Sequence, residues 1–167
     1  MNGIYLAAYR AYHPNHDIVY QDINGERDLD GDMLEIDLSK YDFIIATPPC
    51  NYYSRANWRR NQSDYSIQTK HLLPGILNKL IKLNKPFIVE NVRNKKLFKR
   101  FGLYDVDCFI YEYGRHTYWT NIMVNLNQII QIHDNIQYKE KNVRQGGINV
   151  HNVIEYWLEN VKESKGD

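Results

Sequence analysis

The feature that most limits how this chain can fold is an apolar run that stops at two adjacent prolines. In "FIIATPPCNYY", residues 43 to 53, Ile44, Ile45 and Ala46 have the pattern of a short strand buried on both faces of a parallel sheet. Proline donates no backbone N–H, fixes its own φ and pushes the residue before it into an extended conformation. Pro48 and Pro49 must therefore end the strand in a stiff turn. Cys50 then sits just past the carboxyl end of that strand, at the edge of an open α/β sheet where ligands bind. "FIVEN", residues 87 to 91, repeats the arrangement, with Glu90 and Asn91 at its carboxyl end.

Between these two strands, Leu72, Leu73, Ile76, Leu77, Leu80 and Ile81 recur at helical spacing within residues 66 to 83. Pro74 belongs near a first turn or at a kink, and Lys85 and Pro86 end the helix. Strand, helix, strand in this order predicts a right-handed parallel crossover. Upstream, residues 4 to 12 read as a short helix but alternate well enough for a strand, and "IVYQDIN", 18 to 24, reads as a strand. Downstream, "CFIYEY", "TYWTNIMV" and "QIIQIH" are rich in β-branched and aromatic residues with short connections. They predict an antiparallel finish to the sheet, with Cys108 in the core. A last helix starts near Asn149 and places Val150, Val153, Ile154, Trp157, Leu158 and Val161 on one face.

A chain of 167 residues with 43% hydrophobic and 25% charged content fits one soluble globular domain, residues 1–167. No apolar run approaches ~18 residues and no signal-peptide core is present, so the expectation is a cytoplasmic protein, without membrane contact, whose Cys50 and Cys108 stay reduced. The net charge of +1 decides nothing about nucleic acid; the placement of the basic residues does. His13 and His16 lack a matching ligand pair, and no metal site is expected.

Taken alone, a cysteine after two prolines is a small turn residue, and Glu-Asn at a strand end is a surface turn. In order and together, "PPC" and "ENV" resemble the two signature motifs of DNA (cytosine-5)-methyltransferases. "YQDIN" and "DGDM" are similar to that family's ribose-binding and adenine-contacting segments, "YGRHTYWTN" to a segment of compact phage-type members, and "QGGINVHNVIEYW" to its closing motif. The resemblance covers nearly the whole chain. It implies a Rossmann-like α/β fold of the S-adenosylmethionine (SAM)-dependent type, with a mostly parallel sheet and an antiparallel hairpin at one edge.

The resemblance also implies roles. Cys50 would add as a thiolate to cytosine C6, Glu90 would protonate N3, and Asn91 would brace the turn around them. Arg115 is the nearest match to the arginine that completes the site, with His116 as the second candidate. Gly3, Asp22, Ile23, Asp32, Pro48 and Asn149 would line the SAM site. Ser54, Arg55, Arg59 and Arg60, interleaved with Tyr52, Tyr53 and Trp58, suit phosphate contact and base stacking on DNA, from which the target base must leave the stack.

Two departures qualify the picture. Gly3 matches the last of the family's N-terminal glycines, so the first strand is missing, shortened over residues 3 to 9, or supplied by a second subunit or another copy. Between 121 and 145 there is room for about one hairpin rather than a target-recognition domain. Two functions follow: an active cytosine C5-methyltransferase, or an inactive relative that binds nucleic acid, a nucleotide or a partner protein through the same cleft.

Overall fold

The structure, a computed structural model, describes residues 17–22 and 28–123. The chain divides into two compact units, residues 1–40 and 41–167. In the first unit, Tyr20 and Asp28 exchange hydrogen bonds: the Tyr20 N–H donates to Asp28 Oδ2 at 2.8 Å and the Asp28 N–H donates to the Tyr20 carbonyl at 2.9 Å. The strand expected over 18–24 is reduced, in its described part, to an isolated bridge between Gln21 and Leu29. Gly31 has a φ of 119°, and a Cβ there would stand 2.9 Å from the Ile36 side chain, so only glycine fits that turn.

The second unit is α/β. Its described elements are β1 (Ile44–Ala46), α1 (Asp64–Thr69), α2 (Leu72–Leu83), β2 (Phe87–Val92), α3 (Lys95–Arg100), β3 (Phe109–Tyr113) and β4 (His116–Thr120). The strands lie in the order β1-β2-β4-β3, with β1 and β2 parallel and the β2–β4 and β3–β4 pairs antiparallel. Among the described residues the sheet is therefore mixed rather than mostly parallel, and β3 with β4 forms the expected antiparallel hairpin at one edge. The reason is that β4 is tied directly to β2: Thr120 Oγ1 donates to the Phe87 carbonyl at 2.7 Å, and Asn121 accepts from the Phe87 N–H at 3.1 Å. The predicted N-terminal strand, the run at 128–133 and the helix from Asn149 lie outside the described residues.

The single helix expected over 66–83 is two, α1 and α2. Ser63 caps α1 through its hydroxyl. Pro74 falls in the first turn of α2, where a missing N–H costs nothing, and Asn84 closes α2 in the left-handed region at φ 54°. Leu73, Ile76, Leu77 and Leu80 form the buried stripe of α2, which packs on β2. Phe87, Ile88 and Val89 are each at most 1% exposed, as a central strand requires. On the other side Trp119 is fully buried, donates Nε1–H to the Leu103 carbonyl at 2.7 Å and meets Phe98 edge-on at 5.0 Å. Cys108 is not a core strand residue: it precedes β3 and is half-buried. Among the described residues no helix is long and apolar enough to cross a membrane.

Candidate active site

β1 and β2 run parallel, with Ala46 opposite Val89, so the residues after both strands emerge at one edge of the sheet. From β1 comes the Pro48-Pro49-Cys50 turn, and from the last residues of β2 come Glu90 and Asn91. Asn91 is 1% exposed; its Nδ2 donates to the Pro48 carbonyl at 3.0 Å, while its Oδ1 accepts from the Val92 N–H at 3.0 Å. Proline makes the turn stiff, and Asn91 fixes where the stiff piece sits.

The chain after Cys50 folds back at once. The Cys50 carbonyl accepts the Tyr53 and Ser54 N–H groups at 3.0 and 2.8 Å. Tyr53 is fully buried and donates its hydroxyl to the Lys70 carbonyl at 2.6 Å. Asn94 caps α3 and donates Nδ2–H to the Tyr53 carbonyl at 2.7 Å, so the helix after β2 grips the loop after β1. Nothing in the sequence reading marked Asn94 or α3. The available signal was an asparagine followed by "KKLFKR", a cap before a short helix with a Leu-Phe pair to bury.

Glu90 and Cys50 lie within electrostatic reach. Burial pushes the Glu90 carboxyl up to about 7. The Cys50 thiol is raised by burial and then by the Glu90 charge. His116 Nε2 lies 3.6 Å from Glu90 Oε1. Burial and the nearby Arg115 charge hold His116 below its ordinary value. Both shifts run opposite to those of an ion pair, and burial is the first cause of each. Of the two candidates from "YGRHTYWTN", the structure brings His116 to Glu90. Arg115 sits exposed in the β3–β4 turn, where its carbonyl accepts the Arg93 N–H at 2.7 Å.

The basic segment divides. Arg55 and Arg59 are exposed, and the Arg59 guanidinium lies 4.3 Å from the ring centroid of Trp58, which is 75% exposed. Arg60 is half-buried and donates to the Ser54 carbonyl at 2.6 Å. Tyr52 and Tyr53 are not available for stacking on a base: both are buried in a cluster with Phe98 and Phe101, because their rings fill the space between the loop and α3. In the first unit, Asp22 Oδ2 accepts the Tyr20 hydroxyl at 2.8 Å, and Asp32 Oδ1 accepts the Leu34 N–H at 2.8 Å. Gly3, Ile23 and Asn149 lie outside the described residues.

Residues 2–100 match the family model for the C-5 cytosine-specific DNA methylase. The Type II methyltransferase M1.HgaI of Avibacterium volantium is 34% identical over 87 residues, which is 50% of this chain and 24% of that protein. No solved structure matches the chain. Because the family model spans more than half of the 167 residues, including both strand ends that carry Cys50 and Glu90, the chain belongs to the C-5 cytosine-specific DNA methylase family.

Proposed function

We propose that this chain transfers a methyl group from SAM to C5 of cytosine in DNA through a covalent bond between Cys50 and C6. The observation that carries the reading is the convergence of the Cys50 thiol and the Glu90 carboxyl, from the ends of two parallel strands, within electrostatic reach at one sheet edge. Cytosine C5 is a poor nucleophile until the ring gains electrons. In the proposed step the Cys50 thiolate bonds to C6, the C5=C6 pair shifts so that electron density reaches N3, and N3 takes the proton of Glu90. C5 would then take the methyl group as that group's bond to the SAM sulfur breaks. Solvent water takes the C5 proton, the C–H electron pair re-forms C5=C6 as the Cys50 sulfur leaves as thiolate, and N3 returns its proton to Glu90.

A carboxyl at about 7 is substantially protonated at neutral pH, as a general acid must be. Its protonation also removes the charge that raises the Cys50 thiol, so the acid form of Glu90 and the thiolate form of Cys50 favour one another. A protein that only binds has no chemical need for this pair, which favours the enzyme over the binding-protein alternative.

The fold in this reading is a Rossmann-like SAM-dependent one, with residues 1–167 acting as a single catalytic domain. SAM supplies an electrophilic methyl group when bound. Asp22 and Asp32 are the candidates for its ribose and adenine, and Asp32 fits an acceptor role because its described hydrogen bond occupies Oδ1 alone. Gly3, Ile23, Pro48 and Asn149 complete the proposed lining. Ser54, Arg55 and Arg59 would meet the DNA backbone, with Arg60 holding their loop and Arg115 reaching the substrate from the hairpin turn.

The test is trapping. With SAM and a duplex oligonucleotide carrying 5-fluorocytosine, the C5 substituent cannot leave as a proton, so protein and DNA should stay covalently joined after methyl transfer. Cys50→Ala should abolish the adduct and Glu90→Gln should slow its formation. A wild-type protein that binds both partners yet forms no adduct rules the mechanism out.

A further inference from the structure

On the reading just proposed, Glu90 must present its proton on the oxygen that faces N3, and nothing in a carboxyl group itself selects that oxygen. The sheet supplies a selector. Glu90 pairs with Tyr118 and Val92 with His116, so His116 is the diagonal neighbour of Glu90 on the same sheet face. Its Nε2 faces Oε1 at 3.6 Å, a few tenths of an ångström beyond hydrogen-bond length, so a small approach of either side chain would close the bond. Its Nδ1 is buried and has no hydrogen-bond partner among the described residues.

A neutral imidazole carries one N–H and one bare nitrogen. With the hydrogen on Nδ1, a buried N–H would have no acceptor, and the bare Nε2 would face a lone pair whenever Glu90 is ionised. With the hydrogen on Nε2, Oε1 can accept it from either protonation state of Glu90. Only the second tautomer serves the carboxyl throughout a proton-transfer cycle. The imidazolium would combine the orphaned Nδ1–H with a buried charge.

We propose that His116 is a positioning residue that keeps its hydrogen on Nε2, donates it to Glu90 Oε1 and so confines the Glu90 proton to Oε2, the oxygen that delivers it to the base. The proton moves from Oε2 to N3, the resulting carboxylate stays held at Oε1, and His116 neither gains nor loses a proton. The other groups facing this pair are consistent with a neutral imidazole. Arg115 in the hairpin turn opposes its protonation, Cys50 lies on the loop after β1, and the Tyr118 ring on β4 lies 6.5 Å from the imidazole.

Two readouts test this on the full chain. With isotopically labelled histidine, long-range proton–nitrogen spectra near neutral pH report the tautomer, and the His116 signal is assigned by its loss in His116→Gln. The expected pattern is a protonated Nε2 and a bare Nδ1; an Nδ1–H tautomer or an imidazolium overturns the proposal. The second readout is the pH profile of adduct formation. Gln keeps an N–H at the reach of Nε2 and should retain the rate within about threefold, whereas Asn, one methylene shorter, should lose about tenfold or more. A carboxyl that loses a donor to its charged form titrates higher, so the alkaline limb in His116→Asn should move to higher pH. Equal rates in the two variants, or a fixed limb, overturn the positioning role. If the wild type forms no adduct, the cytosine mechanism fails, while the spectra still decide the tautomer.

Discussion

Replacing Asn91 with aspartate changes one group and almost no volume, and the structure says what should follow. Asn91 Nδ2 donates to the Pro48 carbonyl in a buried setting, whereas Oδ1 accepts from Val92 and would keep that partner in the variant. If the introduced carboxyl were ionised, it would turn an oxygen toward an oxygen and bury an uncompensated charge, a cost of about 3–5 kcal/mol. If protonated, it can donate its O–H to Pro48 instead, which leaves a deficit of about 1 kcal/mol. The difference, about 2–4 kcal/mol, corresponds at 1.36 kcal/mol per unit to a folded-state pKa roughly 1.5–3 units above the unfolded value of ~3.9. The sign follows from the raised pKa: the variant comes nearest to wild type below ~3.9 and falls away as pH rises through about 5.5–7. Denaturant unfolding of both proteins at about pH 4 and pH 8, followed by fluorescence of the buried Trp119, measures the gap. A gap equal at the two pH values, or larger in acid, would refute the assignment of Asn91 as the donor to Pro48.

Three further outcomes follow from the same geometry. Because the Glu90 charge raises the Cys50 thiol, Glu90→Gln in a Cys108→Ser background should shift the pH midpoint of Cys50 alkylation downward; an unmoved midpoint means the two groups are not coupled. Arg60→Ala should cost about 1–2 kcal/mol in stability through its lost bond to Ser54. Arg55→Ala and Arg59→Ala should leave stability alone and lower the salt slope of DNA binding by about one each, as read by a salt titration; matching effects from all three arginines would erase the division between them.

How much of this was legible in the sequence depends on the range of the forces that set each element. Strands β1 and β2 were readable because burial on both faces leaves uninterrupted apolar runs, and α2 because its stripe repeats over three turns. Helix α3 is six residues long, too short to show a period, and its start rests on the Asn94 cap. The neighbour of β2 was not readable at all, since the Thr120 and Asn121 bonds that choose β4 span more than thirty residues. At the candidate site, Cys50 and Glu90 stood out only through the ordered pair of motifs around them, since either alone at a strand end reads as an ordinary turn residue. His116 could be named only as one of two, because which of two adjacent residues points along a sheet face is settled by pairing register.

The arginines show the sharper limit. A guanidinium donates to a phosphate or to a carbonyl with the same atoms, so sequence alone cannot divide Arg59 from Arg60. What divides them is the loop's own backbone. A segment that folds back within four residues leaves carbonyls turned inward, and these must find donors. Arg60 serves Ser54, Asn57 serves Asn51 at 2.9 Å, and Asn94 serves Tyr53. Once those side chains are committed to the loop, the large side chains among those it leaves exposed are Arg55, Trp58 and Arg59. The part of the loop open to a partner, DNA in the proposed reading, is thus what remains after the loop has satisfied its own carbonyls, and Arg60 is committed to one of them.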